Sequence, residues 1–475
     1  FFGTECKNGP GYKTPLDALV NGPREKILYV ICIQPDGRFT GKPDYLATVD
    51  VDPESPQYCK VIHRTKALYG NDEWHHFGWN ACSSCFNDPK KNRDKLVIPS
   101  LLSNRIYILD ISQEQKPTIH KVIEPEEILK FNIGTLHTTH CLGSGEVMIS
   151  ALGDRNGEPK GDFLLLNADT WEIKGLWTKG EKIAKFGYDF WYQPYHDVMI
   201  SSEWEAPKAF TKGFKLEEIM DTDVTGRSLN VYSWSKQQLL QTIDLGEDGI
   251  TPLEVKFLHD PTEAQGYVCC AYSSNIFRFF KKDDGSWAAE KVIDIPNVKV
   301  DGWSLPEVPG LITALLISMD DRYMYLSNWL HGDIRQYDIQ DRAHPKLTGQ
   351  IFLGGLLVQG GPIKVLGDQE QPAVREINGT RVYGGPQMLQ LSLDGKRLYA
   401  TTSLFSVWDT QFYPDMIKNG SVLMKIDVNT DEGGLKLDEN FLVDFGKEPD
   451  GPILAHECRY PGGDCTSDIW LSCCS

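Results

Sequence analysis

The chain has 475 residues and a formal charge of −18, because 66 aspartate and glutamate residues outnumber 48 lysine and arginine residues. This acidic balance argues against non-specific binding to nucleic acid, and no apolar run is long enough to span a membrane. A hydrophobic fraction of 41% is sufficient for a packed core, while 43 glycines and 27 prolines favour a turn-rich fold with few long helices.

One kind of strand-like segment recurs along the whole chain. The copies are, in chain order, KILYVI (26–31), KLVIPS (95–100), EVMISA (146–151), DVMISS (197–202), GYVCCAYSS (266–274), RYMYLSN (322–328) and RLYATTS (397–403). A turn precedes most copies, and a further strand with its own turn and partner follows about ten residues later. The sequence therefore predicts seven units, each of four antiparallel strands, with one unit about every 60 residues.

Radial repetition of four-stranded antiparallel units is typical of a β-propeller. We therefore predict an all-β fold, a seven-bladed propeller around a central channel, formed by a single domain over 1–475. The alternatives are a pair of β-sandwiches or two smaller barrels, and neither explains one repeat that runs the whole length. The strand near 26–33 is expected to close the ring with the last blade, segment 356–386 to form a long loop over one face, and 471–475 to be a flexible tail.

Several histidines follow apolar runs that the repeat assigns to the inner strands of different blades. Neutral imidazole is the commonest ligand of copper, iron and zinc, so residues distant in sequence are predicted to share a metal at the channel. The LHTTH pair is a weak signal, because side chains three residues apart on a regular strand point to opposite faces. The alternative is that each histidine is a hydrogen-bonded core or loop residue. The candidate set is His75, His76, His140, His259, His331 and His456.

Carboxylates that could orient these imidazoles or move protons stand close to them in sequence. They are Glu73, Asp189, Glu254, Asp333 and Glu457. Of these, Glu73 and Asp189 are our candidate catalytic carboxylates.

The 12 cysteines are too sparse for a disulfide scaffold, so we expect a cytosolic protein. Cys82 and Cys85 form a CxxC that supplies two ligands at most, and the alternatives are a redox pair or two unreactive thiols. Cys59 has Lys60 and Arg64 nearby in sequence, a neighbourhood that favours the thiolate. No nucleotide loop, nucleophile elbow, HExxH or kinase signature is present.

Long motifs nevertheless resemble one known family. HHFGWNACSSCF, LHTTHCLGSGEVMIS, PGLITALLISMDDRYMYLSNWLHGDIRQYDI and LAHECRYPGGDCTSDIW are similar to the selenium-binding protein family, and the resemblance runs from about residue 9 to residue 470. It implies a seven-bladed propeller, cytosolic with nuclear or membrane-peripheral pools. It also implies copper-dependent oxidation of methanethiol by O₂ and water to formaldehyde, hydrogen sulfide and hydrogen peroxide.

The resemblance also implies roles for individual residues. The copper-ligand histidines of the family match His75, His76, His140 and His456, and a further histidine linked to activity matches His331. Cys59 matches the cysteine proposed to hold selenium. His259 stays a candidate metal ligand on its position in the repeat alone.

Three other functions remain open at this point. One is a non-catalytic selenium- or thiol-binding protein in redox sensing or intracellular transport, with Cys59 as the reactive group. Another is a scaffold that binds protein partners on the propeller faces, and the third is an iron oxygenase, which rests on fold analogy alone.

Overall fold

The computed structural model describes residues 8–471, and its helices are all short. The α-helices are α1 (Pro15–Asn21), α2 (Gly37–Thr40), α3 (Pro125–Leu129), α4 (Pro207–Phe210), α5 (Ser406–Phe412) and α6 (Pro414–Asn419). Single 3₁₀ turns occur at Ser83–Cys85, Pro194–His196, Leu216–Glu218, Glu247–Gly249 and Phe445–Lys447. Among residues 8–471, no helix has both the length and the apolar composition that a membrane span requires.

Strands form most of the regular structure. The first nineteen are β1 (Ile27–Ile33), β2 (Tyr45–Asp50), β3 (Val61–Lys66), β4 (Gly78–Trp79), β5 (Lys95–Pro99), β6 (Ile106–Asp110), β7 (Thr118–Ile123), β8 (Gly134–Cys141), β9 (Glu146–Gly153), β10 (Pro159–Asn167), β11 (Ile173–Leu176), β12 (Phe190–Gln193), β13 (Val198–Ser201), β14 (Ser228–Ser233), β15 (Gln238–Asp244), β16 (Pro252–Phe257), β17 (Gln265–Cys270), β18 (Asn275–Lys281) and β19 (Trp287–Asp294). The others are β20 (Val298–Asp301), β21 (Glu307–Val308), β22 (Ile312–Ile317), β23 (Tyr323–Asn328), β24 (Asp333–Asp338), β25 (Lys346–Phe352), β26 (Lys364–Val365), β27 (Glu376–Ile377), β28 (Thr380–Arg381), β29 (Leu389–Leu391), β30 (Arg397–Ala400), β31 (Val422–Val428), β32 (Leu435–Asp444) and β33 (Leu454–Arg459).

These strands form seven four-stranded antiparallel sheets. Six sheets each take four consecutive strands, namely β4–β7, β8–β11, β12–β15, β16–β19, β22–β25 and β29–β32. The seventh has the order β3-β2-β1-β33, so strands from the two ends of the chain share one sheet. One edge strand of each sheet lies against an edge strand of the next, as in β12 with β16, β16 with β22, and β29 with β33. The all-β class and the propeller-like arrangement are thus confirmed, and the count of seven blades stays a prediction.

The pairing of β1 with β33 joins the N-terminal segment to the last strand. The register places Tyr29 opposite Arg459 and Cys32 opposite Ala455. β1 is buried at every residue, as its continuous apolar sequence ILYVICI implies for a strand with neighbours on both sides. By contrast, β15 at the outer edge of its sheet has an alternating pattern of exposed and half-buried residues.

Segment 356–386 is a long connection between β25 and β29 that carries only three two-residue strands. β26 joins a small sheet with β20 and β21, and β27 pairs with β28. With α5 and α6, the segment encloses a cavity of about 620 Å³ lined partly by Trp303, Phe412 and Tyr413. Residues 472–475 of the predicted flexible tail lie outside the described part of the chain.

Candidate metal centre

A β-bulge in β8 directs two histidines into one cavity. The pairing of β8 with β9 shifts by one residue between Leu136 and Thr139. A bulge of this kind places an extra residue in one strand, so side chains three positions apart face the same side. His137 and His140 consequently line the same buried cavity, which corrects the expectation that a regular strand would point them apart.

A second bulge shapes β33. Its register with β1 shifts between Ala455 and Cys458, which spans His456 and Glu457. Both residues reach His76: the Nε2 atoms of His456 and His76 are 3.3 Å apart, and Glu457 Oε1 lies 3.1 Å from His76 Nδ1. The last strand therefore provides an imidazole and a carboxylate at adjacent positions.

His75 and His76 are held by the segment that enters β4. Glu73 has a φ of 49°, and its carboxylate accepts hydrogen bonds from the Ser406 backbone N–H at 2.9 Å and from the Ser406 hydroxyl at 2.6 Å. Glu73 thus anchors the turn before the histidines to α5, and these bonds occupy both of its carboxylate oxygens. His75 Nε2 lies 2.6 Å from the Leu404 carbonyl oxygen, which fixes the ring against the segment before α5.

Four of the five imidazoles from these three segments are packed together. The ring centroids of His75 and His456 are 3.7 Å apart and stacked, and those of His76 and His137 are 4.2 Å apart. Candidate ligand nitrogens of His75, His76 and His137 all lie within 4.8 Å of one another. His140 lies at the same cavity, with its ring 5.1 Å from that of Phe190.

The free ring nitrogens fit a metal. Among the described residues, His75 Nδ1, His137 Nε2 and both nitrogens of His140 are buried without a hydrogen-bond partner. Buried polar atoms are normally paired; His259 Nδ1 and His196 Nε2 are unpaired too, but in the cluster several such nitrogens lie close together. Two imidazoles on a tetrahedral ion at about 2.0–2.1 Å would have nitrogens about 3.3 Å apart, which is also the separation between His76 and His456.

Burial keeps the imidazoles in the neutral form that binds metals. It lowers the pKa of His75 to about 4, with the Leu404 carbonyl opposing part of the change. Burial also holds the pKa values of His76, His137, His140 and His456 well below the ordinary value, and repulsion from neighbouring groups that can be positively charged lowers these pKa values further. The cluster is therefore ready to coordinate a cation at neutral pH without first losing protons.

A small set of buried charges completes the cavity. Lys256 Nζ lies 3.3 Å from Asp189 Oδ2, and Arg459 forms an ion pair with Glu457 at 2.7 Å. Burial opposes the charge of Lys256, but Asp189 and Glu254 outweigh it and raise the lysine pKa. Burial raises the pKa of Glu254 to about 7, with Lys256 opposing the change. The cavity has about 10 Å³ for the centre of a water-sized molecule.

Two of the predicted histidines, His259 and His331, belong neither to the histidine cluster nor to the cavity lining. His259 Nε2 lies 2.9 Å from the Ile317 carbonyl oxygen, and its backbone N–H donates to Asp321. His331 Nε2 lies 2.8 Å from the Val308 carbonyl oxygen. Glu73 bonds Ser406, as described above, whereas Asp189 does line the cavity. From the predicted set, the structure thus brings together His75, His76, His140, His456, Asp189, Glu254 and Glu457, and the roles of all the predicted residues stay predictions.

Cys59 lies far out on its sheet, in the turn between β2 and β3. It is half-buried, with a φ of 63°, and its backbone N–H donates to the Asp50 carbonyl oxygen. Burial raises the pKa of its thiol, and nearby Lys425 opposes only part of the change. The expectation that neighbouring cations favour the thiolate is therefore wrong, because burial outweighs them. Its role as a selenium ligand stays a prediction.

His137 is the cavity histidine that the sequence analysis left out of the ligand set. The LHTTH spacing is the sequence feature that could have identified it, but His137 and His140 face the same side only if the strand contains a bulge. Lys256 and Arg459 were also not predicted, because no short motif connects them to the histidines.

The fold and the site together define a β-propeller-like protein with a buried, neutral histidine cluster suited to a transition metal. Residues 6–471 match the 56 kDa selenium binding protein family (SBP56), and the chain belongs to that family. A methanethiol oxidase of Xenopus tropicalis is 62% identical over 98% of both chains, and the human methanethiol oxidase is 59% identical over 98% of this chain and all of its own. The crystal structure of a hypothetical selenium-binding protein from Sulfolobus tokodaii has 38% identity and a TM-score of 0.86, covering 97% of this chain and 98% of its own.

Proposed function

We propose that this protein is a copper-dependent methanethiol oxidase that converts methanethiol, O₂ and water to formaldehyde, hydrogen sulfide and hydrogen peroxide. The observation that carries the proposal is the buried cluster of neutral imidazoles, several of which have free ring nitrogens, and of which His76, His137 and His140 line one small cavity. Relatives 62% and 59% identical over nearly the full chain are named methanethiol oxidase, which supports the reaction.

Copper would be held by His75, His76 and His137, with His140 and His456 completing the donor set. Bound there, copper would supply a centre that binds sulfur and exchanges electrons with O₂. Imidazole nitrogen is a good donor for copper, and the low pKa values of these rings remove competition from protons. Glu457 holds His76 through Nδ1, which leaves Nε2 facing His456 and the cluster.

The size of the cavity favours the smallest thiols. It has room for about one water-sized molecule beside Tyr188, Thr466 and the histidines. Methanethiol is the smallest organic thiol and would displace buried side chains least, and each added carbon would require a larger displacement. We therefore expect the rate to fall steeply from methanethiol to ethanethiol and propanethiol.

The charged residues of the cavity would handle protons. Oxidation of a thiol releases the S–H proton, and a carboxyl with a pKa of about 7 can accept and return it near neutral pH. Glu254 has that pKa and lines the cavity. Lys256, which lies 3.3 Å from Asp189, also lines the cavity and brings an ammonium group close to where the thiol would bind.

Elemental analysis combined with turnover tests the proposal. The purified chain, the His76→Ala variant and the His344→Ala variant would be assayed for copper and iron per chain, and for sulfide and peroxide released from methanethiol. His344 is a matched control because its side chain is 82% exposed and away from the cluster. We expect about one copper in the wild type and the control, and loss of copper and of both products in His76→Ala. Full turnover by copper-free protein, or iron in place of copper, would overturn the proposal.

A further inference from the structure

Two adjacent backbone carbonyls between β30 and α5 each bond one histidine of the cluster. The Leu404 carbonyl oxygen lies 2.6 Å from His75 Nε2, and the Ser403 carbonyl oxygen lies 2.7 Å from His456 Nδ1. All four residues are buried. One short segment thus holds two rings that come from different parts of the chain, the turn before β4 and the strand β33.

These two bonds decide which ring nitrogen carries the hydrogen, because a carbonyl oxygen can only accept. A neutral imidazole has one N–H, and its other nitrogen keeps a lone pair that can bind a metal. His75 therefore carries its hydrogen on Nε2, which leaves Nδ1 free, and that atom is buried without a hydrogen-bond partner. His456 carries its hydrogen on Nδ1, which leaves Nε2 free. The two rings thus offer opposite nitrogens to a metal.

The ring of His76 is fixed in a similar way and meets that of His456. His76 Nδ1 lies 3.1 Å from Glu457 Oε1, which also accepts hydrogen bonds from Arg459 Nε at 2.9 Å and Nη2 at 2.7 Å. An oxygen bonded to arginine in this way acts as an acceptor, so His76 carries its hydrogen on Nδ1. The two Nε2 atoms, 3.3 Å apart, are then lone pairs that face each other with no hydrogen between them. A cation shared by the two nitrogens would relieve this repulsion.

The side chain of Asp409 holds the two carbonyls in place. Asp409 lies in the first turn of α5, and its carboxylate folds back onto the segment that leads into the helix. Its Oδ1 accepts the Leu404 backbone N–H at 3.0 Å, its Oδ2 accepts the Ser403 hydroxyl at 2.6 Å, and the side chain is fully buried. The helix is itself anchored, because Trp408 Nε1 donates to the Phe210 carbonyl oxygen at 3.1 Å.

We infer that Asp409 is a positioning residue of the metal centre, which makes His75 offer Nδ1 and His456 offer Nε2 by holding the carbonyls of Ser403 and Leu404. Asp409 bonds the backbone segment rather than an imidazole, so it acts through the partners that orient the ligands. If the segment moved, either ring could turn or carry its hydrogen on the other nitrogen. The inference rests on the proposed function for the identity of the metal, but the ring tautomers can be measured with no metal bound.

Nitrogen NMR of the metal-free protein tests the assignment directly. The full chain would be labelled with ¹⁵N-histidine and treated with a chelator, and each ring would be assigned through its own backbone. The shifts of the two ring nitrogens distinguish an N–H from a nitrogen with a free lone pair. In the wild type we expect the hydrogen on Nε2 of His75 and on Nδ1 of His456.

Substitution of Asp409 tests its role, with zinc as a probe that has no redox chemistry. Asp409→Ala should show mixed tautomers at both rings and bind zinc about 10- to 100-fold more weakly in competition with a chelator. Asp409→Asn should match the wild type in both measurements. Its amide oxygen can accept the Leu404 N–H, and its NH₂ group can donate to the Ser403 hydroxyl.

Asp321→Ala is the matched control for a general loss of stability. Asp321 is also a buried carboxylate that accepts two backbone N–H bonds, from His259 at 2.7 Å and from Asp260 at 2.9 Å. This variant should lose stability while the tautomers of the cluster and the zinc affinity stay as in the wild type.

A hydrogen on His75 Nδ1 or on His456 Nε2 in the wild type would overturn the inference, even if no variant folds. Wild-type zinc affinity in Asp409→Ala, or an equal loss in Asp321→Ala, would also overturn it. If the tautomers and affinities are as expected but the copper-loaded wild type does not oxidise methanethiol, Asp409 keeps its positioning role and the proposed function fails.

Discussion

The histidine cavity and the Cys59 turn are the two places where chemistry was predicted, and they are built differently. Inner strands and their entry segments bring imidazoles and opposite charges together in the cavity, with several ring nitrogens left free. Cys59 is a single half-buried thiol at an outer strand turn, and burial raises its pKa. Reactivity in the cavity depends on several side chains that the fold brings together, whereas reactivity at the Cys59 turn depends on one side chain. The proposed oxidation therefore belongs to the cavity.

The largest effect is expected from His137→Ala. This variant removes a ring whose Nε2 is free and close to the other ligand nitrogens. Loss of a direct ligand should reduce copper affinity and methanethiol turnover by more than the roughly 10- to 100-fold that loss of an outer partner costs. His259→Ala is the comparison, because His259 is buried but lies outside the cluster of ligand nitrogens and the cavity lining. Copper content and sulfide release measure both, and copper loss in His259→Ala with none in His137→Ala would reverse the assignment.

Glu254 gives the cavity a pH signature that the Cys59 turn lacks. The folded pKa of Glu254, about 7, is above its ordinary 4.5, because burial outweighs Lys256, while Asp189 and Glu457 add to the rise. A raised carboxyl pKa stabilises the fold fully below pH 4.5, and this contribution is lost as pH rises through 7. Relative to Glu254→Gln, the wild type should lose up to about 3 kcal/mol of unfolding free energy between pH 4.5 and 7.

Denaturant unfolding across that pH range measures the difference between wild type and Glu254→Gln. Cys59→Ser is the control, since a thiol whose pKa is raised above 9 does not titrate in this window. A constant difference between wild type and Glu254→Gln at all pH values would show that Glu254 ionises normally in the fold.

Glu457→Gln should have a smaller effect on copper than loss of a ligand. Glu457 Oε1 holds His76 Nδ1, and Oε2 accepts the Phe77 backbone N–H at 2.7 Å. The amide keeps the shape but removes the charge that favours the bound tautomer, so copper affinity should fall about 10- to 100-fold. Competition with a chelator measures it. Glu254→Gln, in the same cavity without a bond to His76, should keep wild-type affinity, and equal losses would indicate a general charge effect.

Much of this fold could be predicted from the amino-acid sequence. Strand segments that end in small residues recur at a spacing that fits four-stranded units, and the seven sheets follow that pattern. His75, His76 and His456 could be selected because each lies next to an inner strand. His137 could not, because its direction depends on the bulge in β8, and a bulge is set by the register with β9 rather than by local sequence.

The spatial neighbours of the cysteines also could not be predicted from the sequence. The CxxC spacing makes Cys85 the obvious partner of Cys82, since the two are close in sequence. The fold also brings Cys141 of β8 to the same serine hydroxyl, since Ser84 Oγ lies 3.2 Å from Cys82 Sγ and 3.9 Å from Cys141 Sγ. Pairs that form across sheets leave no spacing in the sequence, so motif reading identifies the residues without their partners.

Cys59→Ser should have the smallest effect on oxidation and the clearest effect on selenium. The thiol makes no contact with the cavity residues described above, and serine keeps the size of the side chain and the backbone N–H bond to Asp50. We expect wild-type copper content and methanethiol turnover, together with loss of selenium retained after incubation with selenite and gel filtration. His76→Ala should show the opposite pattern. If Cys59→Ser lost turnover while keeping copper, the outer turn would take part in the reaction, and the separation between the two regions would be wrong.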